Sequence, residues 1–332
     1  MKPSPIEFSK RILKIKPSPT LSAAAIAKEL QAKGIKITDF TVGELTFHTP
    51  KKIKEACKKA IAENWTRYAI VPGILELRQA ITARIKKDYS VSYSPNEVIV
   101  TCGAKHAIYN VLQVLLNEGD EVLIPTPYWV SYPDQVLLAD GKPVFLTTDE
   151  KNGFKTTPKQ LEKFITPKTK LFILNTPSNP AGVCYSGEEL QALGKICAKN
   201  NILVLSDEIY DKLVFDNFKH TSFVHACPEM RDRTILINGA SKSYSMTGWR
   251  MGFAAAPIAI IDKMKILQSQ ELTSIPTFVQ KACVTAFADC DKKVEEMRVE
   301  MQKRRDVMHA ELSKIKGVEC LKPEGAFYLF PN

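Results

Sequence analysis

One segment decides the fold: it reads Thr234-Ile-Leu-Ile-Asn-Gly-Ala-Ser-Lys242-Ser-Tyr-Ser-Met-Thr-Gly-Trp-Arg250-Met-Gly. Its β-branched start predicts a buried strand, and the Gly-Ala-Ser turn places Lys242 just beyond the end of that strand. A lysine there can form a Schiff base with a carbonyl, and the nearby Arg250 can bind a phosphate through two parallel hydrogen bonds. Together these functions describe a site for pyridoxal phosphate. A surface Ser-Lys turn is the alternative that this segment alone leaves open.

A second strand-like run, Asn201-Ile-Leu-Val-Leu-Ser, ends on Asp207-Glu-Ile-Tyr210. In open α/β sheets, ligands bind beyond the carboxyl ends of the strands. An aspartate there can pair with a protonated pyridine nitrogen, and that charge lets the ring accept electrons. Tyr210 can donate a hydrogen bond to the phenolic oxygen of such a ring. The alternatives are a helix N-cap for Asp207 and core packing for Tyr210.

Composition indicates a globular enzyme and argues against several other classes. The 332 residues suggest about two domains, and 45% hydrophobic with 25% charged residues allows a large core. No apolar run approaches the roughly 18 residues of a membrane helix, and the chain start lacks the apolar stretch of a signal peptide. The eight cysteines have neither metal-site nor disulfide spacing, which predicts reduced thiols in a cytoplasmic protein. The net charge of +10 is spread in pairs such as Lys51-Lys52, which favours a solvated basic surface over nucleic-acid binding.

Strand and helix patterns alternate along the middle of the chain, as in a parallel sheet with crossover helices. We therefore predict an α/β fold with one large domain and a smaller lobe built from both chain ends, divided as residues 1–45, 46–290 and 291–332. Helices are predicted near residues 23–33, after Cys102 through Leu116, after Ile258, and from about 292 to 314. The predicted strands are Val98 to Thr101, Glu121 to Ile124, Lys170 to Leu174, Asn201 to Ser206 and Thr234 to Asn238.

The turn after the first of these strands is a candidate phosphate site. Gly103-Ala104-Lys105 opens a helix there, and free backbone N–H groups at a helix start bind anions. A small-residue turn of this kind is weak support by itself.

The Ser-Lys-x-x-x-Met-Thr-Gly-Trp-Arg run, the Asp-Glu-Ile-Tyr run and Asn179-Pro-Ala-Gly182 resemble the class I aminotransferases, which are fold-type I pyridoxal phosphate enzymes. The resemblance extends from about residue 10 to the last residue and is closest to the bacterial aspartate aminotransferases, some of which also use prephenate. It implies a mostly parallel seven-stranded sheet with helices on both faces, a smaller α/β domain, and a homodimer with the active site at the subunit interface.

The resemblance also implies a function for individual residues. Lys242 would carry the cofactor and act as general base, Asp207 would face the ring nitrogen, and Tyr210 and Asn179 would donate to the phenolic oxygen. For Asn179, the alternative is a purely structural function in its turn. For Tyr68, the alternative is a buried position in the core. The other implied cofactor contacts are Trp129 on the ring face; Gly103, Ala104, Lys105, Ser241 and Arg250 at the phosphate; and Tyr68 reaching the phosphate from a neighbouring subunit.

The implied reaction is ping-pong transfer of an amino group between an amino acid and a 2-oxo acid. Acidic substrates are expected, with aromatic or broad specificity as the next choice. A lyase or decarboxylase on the same scaffold is a further alternative. The cofactor contacts stabilise the carbanion but do not determine which reaction it then undergoes. Lys105, Ser18 and Thr20 are the implied contacts of the distal carboxylate, and Gly43 is an implied backbone contact to the substrate carboxylate. Trp129 and Asn179 are the other implied substrate contacts.

Three features depart from the family pattern. The Gly-Glu-Pro-Asp segment reads Gly43-Glu-Leu-Thr46, and Gly239 stands where many relatives have a serine. Relatives continue for several dozen residues beyond the equivalent of Gly325-Ala-Phe-Tyr-Leu-Phe-Pro-Asn332, and that part carries the arginine that binds the substrate α-carboxylate. No residue of the 332 matches this arginine, so a truncated, cofactor-binding chain with little turnover is the alternative to a working transaminase.

Overall fold

A seven-stranded sheet forms the centre of the computed structural model, which describes residues 6–40 and 43–332. Its strand order is β1-β7-β6-β5-β4-β2-β3; β7 is antiparallel to both of its neighbours and the other neighbouring pairs are parallel. This confirms the predicted α/β class. The strands are β1 Val98–Cys102, β2 Glu121–Pro125, β3 Lys142–Leu146, β4 Thr169–Asn175, β5 Leu203–Asp207, β6 Thr234–Gly239 and β7 Met251–Ala255.

Helices cover both faces of the sheet. No helix of the described residues is long and apolar enough to cross a membrane. The chain start, Met1 to Pro5, lies outside the described residues. The helices are α1 Pro19–Ala32, α2 Lys51–Ala62, α3 Leu75–Tyr89, α4 Ala104–Leu115, α5 Ser131–Leu138, α6 Pro158–Phe164, α7 Gly187–Lys199, α8 Phe223–Ala226, α9 Ile258–Glu271, α10 Thr277–Asp289 and α11 Asp291–Leu312.

The central strands are apolar on both sides because both faces of the sheet are covered. Leu171 and Ile173 of β4 pack with residues of α4, α5 and α9, whereas Phe172 and Leu174 face the opposite side and pack with residues of α7 and α8. All four side chains are buried. A strand buried on both faces reads as a continuous apolar run, which is why the sequence revealed it.

The strand register brings several carboxyl ends to one edge of the sheet. Asn175, the last residue of β4, pairs with Asp207, the last residue of β5, and Asp207 pairs in turn with Ile237 of β6. Strand β6 ends two residues after Ile237, at Gly239, and the turn that carries Lys242 follows it. The polar residues that follow these strands therefore meet in one region, as expected for an α/β fold.

The last described segment returns to this same edge. The backbone N–H of Ala326 donates to the carbonyl of Leu213 at 2.8 Å, and Gly325 donates to Gly182 at 2.8 Å. Gly325 also forms an isolated β-bridge with Val214. These contacts place residues 325–328 against the loops that follow β4 and β5. The domain boundaries drawn from the sequence stay a prediction.

Candidate active site

Lys242 lies in the turn after β6, with its amine pointing into a desolvated pocket. Its Nζ donates a hydrogen bond to the carbonyl of Gly43 at 2.6 Å. Burial lowers the pKa of Lys242 to about 8, and the charge of Arg250 acts in the same direction, while Glu44 and Asp207 oppose the shift. A lysine with a lowered pKa is partly neutral near physiological pH, so it can act as a nucleophile or as a base.

Asp207 is a buried acid at the end of β5, and only 4% of its surface is exposed. The hydroxyl of Tyr132 donates to its Oδ2 at 2.6 Å, and the backbone N–H of Ile209 donates to its Oδ1 at 3.3 Å. Burial raises the pKa of Asp207 to about 6, although both hydrogen bonds oppose the rise. Asp207 is followed by a turn and not by a helix, so the N-cap alternative does not describe it.

Tyr210 and Asn179 both contact the hydroxyl of a third residue, Tyr328. The hydroxyls of Tyr210 and Tyr328 lie 2.7 Å apart, and the Asn179 side-chain amide donates to the Tyr328 hydroxyl at 3.2 Å. Lys242 Nζ lies 5.7 Å from the ring centroid of Tyr210, so the hydroxyl group and the amine share one pocket. Tyr210 is therefore not only a core residue.

The start of α4 and the guanidinium of Arg250 form the opposite end of the site. Arg250 donates to the carbonyls of Thr247 at 2.9 Å and Cys102 at 3.3 Å, which holds it beside the helix start. The backbone N–H groups of Ala104 and Lys105 donate to no other described residue. Two open amides and an exposed guanidinium are suited to bind a phosphate.

Close backbone packing at this end explains one departure from the family pattern. A β-carbon at Gly239 would lie 2.7 Å from the carbonyl oxygen of Met251 and 2.9 Å from Cα of Gly252. A serine at this position would not fit in this backbone arrangement. Position 239 therefore offers no hydroxyl to a phosphate.

Lys105 and Trp129 lie together on the exposed side of the pocket. Lys105 Nζ is 4.8 Å from the ring centroid of Trp129, and the Trp129 ring meets Tyr132 edge to face at 5.3 Å. Burial, and next the charge of Arg250, lower the pKa of Lys105. The ammonium of Lys105 therefore lies between an aromatic face and the cationic end of the site.

The remaining candidate residues are placed less closely. Ser241 is buried directly before Lys242, whereas Tyr68 is 95% exposed. Ser18 precedes α1 at the N-cap position but makes no side-chain capping hydrogen bond, and Thr20 is exposed in the first turn. Among the contacts of the described residues, none joins Ser18, Thr20 or Tyr68 to Lys242.

Two tyrosines of the site were not found from the sequence. Tyr132 lies five residues after Pro127, and Tyr328 lies near the end of the chain; neither belongs to a motif that identifies its partner. Both are recognised only through hydrogen bonds to residues at least 75 positions away. For both residues, the only indication in the sequence was a tyrosine close to a candidate motif.

Asp207 provides a stability test of the buried carboxylate. Its folded-state pKa of about 6 lies above the ordinary value of 3.8, so folding favours protonation and stability falls as pH rises from about 4 through 6. We expect Asp207→Asn to remove this pH-dependent loss of stability. Its free energy of unfolding, compared with that of wild type, should increase by about 1–3 kcal/mol between pH 4 and pH 8, because one pKa unit corresponds to about 1.4 kcal/mol. Urea unfolding of the ligand-free protein at several pH values measures this gain.

The matched control for this test is Asp232→Asn, which makes the same chemical change at a side chain that is 85% exposed. Its stability profile should run parallel to that of wild type across the pH range. If Asp207→Asn also runs parallel to wild type, burial does not disfavour the Asp207 carboxylate.

The chain is similar to known proteins both in sequence and in fold. The family model for aminotransferase class I and II matches residues 35–332. The aspartate aminotransferase of Geobacillus stearothermophilus is 46% identical over 98% of this chain and 83% of its own length. The structure of the Rhizobium meliloti aspartate aminotransferase has a TM-score of 0.96 at 36% identity, covering 99% of this chain and 82% of that one. The Thermus thermophilus enzyme with maleate has a TM-score of 0.95 at 37% identity, covering 98% and 85%. The chain belongs to the class I and II aminotransferases.

Proposed function

We propose that the chain binds pyridoxal 5'-phosphate on Lys242 and uses it to move an amino group between aspartate and a 2-oxo acid. The main support for this proposal is that an amine and a carboxyl group with shifted pKa values lie in one pocket. Lys242 is an amine with a pKa lowered to about 8, and Asp207 is a fully enclosed acid with a pKa raised to about 6. Perturbed groups of this kind cluster at catalytic sites.

The residues of the pocket fit this cofactor at both of its ends. The phosphate carries negative charge, and the Arg250 guanidinium with the open amides of Ala104 and Lys105 offers positive charge and N–H donors. The pyridine nitrogen binds a proton, and the buried Asp207 offers a carboxylate. Such a buried charge is unfavourable without a partner, which a protonated ring would supply.

When bound, pyridoxal phosphate supplies an aldehyde that combines with amines and a ring that accepts electrons from the substrate α-carbon. Lys242 would hold the aldehyde between turnovers. Once displaced by the substrate amine, its Nζ would remove the proton from the substrate α-carbon as general base. Its lowered pKa supports this function, because it increases the fraction of the amine that is neutral and able to accept a proton.

Asp207 would keep the ring nitrogen protonated. Tyr132 supports this function because its hydrogen bond orients the carboxylate and fills one of its acceptor positions. Tyr210 and Asn179 would donate to the phenolic oxygen at the other side of the ring, and Trp129 would stack on the ring face. Ser241 would contribute to the phosphate end beside Arg250.

An acidic substrate is favoured by the positive charge at the mouth of the pocket. Lys105, next to Trp129, would bind the distal carboxylate, with Ser18 and Thr20 as polar contacts and Gly43 at the α-carboxylate. The relatives reported above are named aspartate aminotransferases, and one of their structures holds maleate, a dicarboxylate. We therefore propose aspartate as amino donor, with aromatic amino acids as the second choice.

A homodimer with shared active sites is the proposed assembly. Tyr68 exposes 95% of its surface, which is unusual for a tyrosine in an ordered segment. A cavity of about 630 Å³ lies beside Arg250 and is lined by Cys102, Thr247 and Ile275, among others. The phenol of Tyr68 from a second subunit would enter this cavity and donate to the phosphate.

A cytoplasmic location is proposed from the cysteines alone. All eight lie within the described residues and none forms a disulfide. Reduced thiols are typical of the cytosol.

The proposed reaction is tested by absorbance spectra of the purified chain with pyridoxal phosphate, before and after addition of L-aspartate. We expect a band of the lysine-bound cofactor that is replaced by the band of its amine form. Lys242→Ala should abolish the first band, whereas Lys58→Ala, which removes an exposed lysine of α2, should leave it intact. A lysine-bound band that is unchanged by aspartate, but converted by phenylalanine, would contradict the proposed donor. A band that persists in Lys242→Ala would contradict the cofactor site.

The shared active site is tested by subunit complementation. Tyr68→Ala and Lys242→Ala should each have low activity as homodimers, the latter at least a thousandfold below wild type because the attachment point is lost. In a mixed dimer, one site combines an intact Lys242 with the intact Tyr68 of the other subunit. Mixing the variants under exchange conditions should therefore restore up to about a quarter of wild-type activity by random pairing. No recovery, with dimers verified by native mass spectrometry, would place Tyr68 at its own subunit's site or at none.

A further inference from the structure

Tyr328 links the two side chains proposed to face the phenolic oxygen of the cofactor. Its hydroxyl accepts a hydrogen bond from the Asn179 amide at 3.2 Å and lies 2.7 Å from the Tyr210 hydroxyl. Its ring contacts the Tyr210 ring nearly edge to face, with centroids 5.7 Å apart. Three separate parts of the chain therefore meet at one oxygen atom: the loop after β4, the loop after β5 and the segment at residues 325–328.

The donor and acceptor capacities of these groups determine the direction of this hydrogen-bond chain once Tyr210 donates to the cofactor. A tyrosine hydroxyl has one proton and can accept two hydrogen bonds. Either hydroxyl can donate across the contact between Tyr210 and Tyr328. If the single Tyr210 proton is given to the phenolic oxygen of the cofactor, the Tyr328 hydroxyl has to donate to Tyr210, and the Asn179 amide still donates to Tyr328. With the cofactor bound, the chain would then run from Asn179 through Tyr328 to Tyr210.

Tyr328 is also fixed against the other groups of the site. A β-carbon at Gly43 would overlap the Tyr328 hydroxyl, so the two residues are in close contact, and the Gly43 carbonyl accepts from Lys242. Burial raises the pKa of Tyr328 to about 12. Its hydroxyl therefore stays protonated, and able to donate, across the pH range in which Asp207 and Lys242 titrate.

We propose that Tyr328 is a positioning residue of the aminotransfer reaction, because its hydroxyl joins Asn179 to Tyr210 and leaves the Tyr210 proton free to reach the phenolic oxygen of pyridoxal phosphate. This inference rests on the proposed function. Hydrogen bonds in series polarise one another, so Tyr210 is a stronger donor with Tyr328 behind it than alone. A stronger donor withdraws negative charge from the phenolic oxygen and lowers the proton affinity of the Lys242 nitrogen joined to the cofactor.

The test is a pH titration of the absorbance of the lysine-bound cofactor, together with the dissociation constant of pyridoxal phosphate. Tyr328→Phe keeps the ring and removes the hydroxyl. We expect it to move the spectral transition upward by about one pH unit and to weaken cofactor binding about three- to tenfold, as for loss of one hydrogen bond. The matched control is Tyr185→Phe, which removes another buried hydroxyl, one that accepts from the backbone N–H of Thr156 at 2.8 Å. The control should titrate as wild type.

A double variant distinguishes action through Tyr210 from a direct effect. In a Tyr210→Phe background, adding Tyr328→Phe should shift the transition by less than about 0.3 unit, because the two changes break one chain and are not additive. Additive shifts would overturn the proposal. A wild-type transition in Tyr328→Phe would also overturn it. If wild-type protein forms no lysine-bound band at all, the proposed function fails and this inference fails with it.

A second substitution preserves the shape of the side chain in case Tyr328→Phe does not fold. Replacing Tyr328 with 3-fluorotyrosine keeps the hydroxyl and makes it a better donor, since fluorine withdraws electron density from the ring. We expect the spectral transition to move downward, opposite to Tyr328→Phe. A purely structural function for Tyr328 would leave the transition where it is, and that result would contradict the proposal.

Discussion

The parallel register of β4, β5 and β6 determines where the acid and the amine of this protein meet. Asn175 pairs with Asp207, and Asp207 pairs with Ile237, so the turn after β6 begins within a few residues of the acid. A slip of one residue would point Asp207 to the other face of the sheet. The lysine turn, the two loops that carry Asn179 and Tyr210, and the returning segment with Tyr328 all depend on this pairing.

Burial acts on the two charged groups in the same physical way and gives opposite shifts. It disfavours the charged form of each, raising the pKa of Asp207 to about 6 and lowering that of Lys242 to about 8. In the protein alone, this desolvation is a source of instability. A ligand with a cationic ring nitrogen and a carbonyl that reacts with amines would relieve both effects. Relief of the desolvation cost of Asp207 and Lys242 would thus favour binding of that ligand.

Much of the fold was predicted from the sequence, because strands buried on both faces are continuous apolar runs and because motif residues follow them directly. All five predicted strands are present. β3 and β7 were missed: Lys142–Leu146 contains a proline and is partly exposed, and Met251–Ala255 consists mostly of small residues without β-branched side chains. Of the candidate site residues, those that a motif marks, such as Lys242, Asp207 and Arg250, were named from the sequence, and their functions stay a prediction. Tyr132 and Tyr328 escaped prediction because only tertiary pairing gives them their partners.

Lys242 is proposed to hold the cofactor, in preference to every other lysine of the chain. Borohydride reduction of the protein with pyridoxal phosphate, followed by peptide mapping by mass spectrometry, tests it directly. We expect one stoichiometric label on the peptide that contains Lys242, and loss of the label when L-aspartate is added before the reductant. Labelling spread over exposed lysines, with Lys242 unmodified, would show that Lys242 does not hold the cofactor.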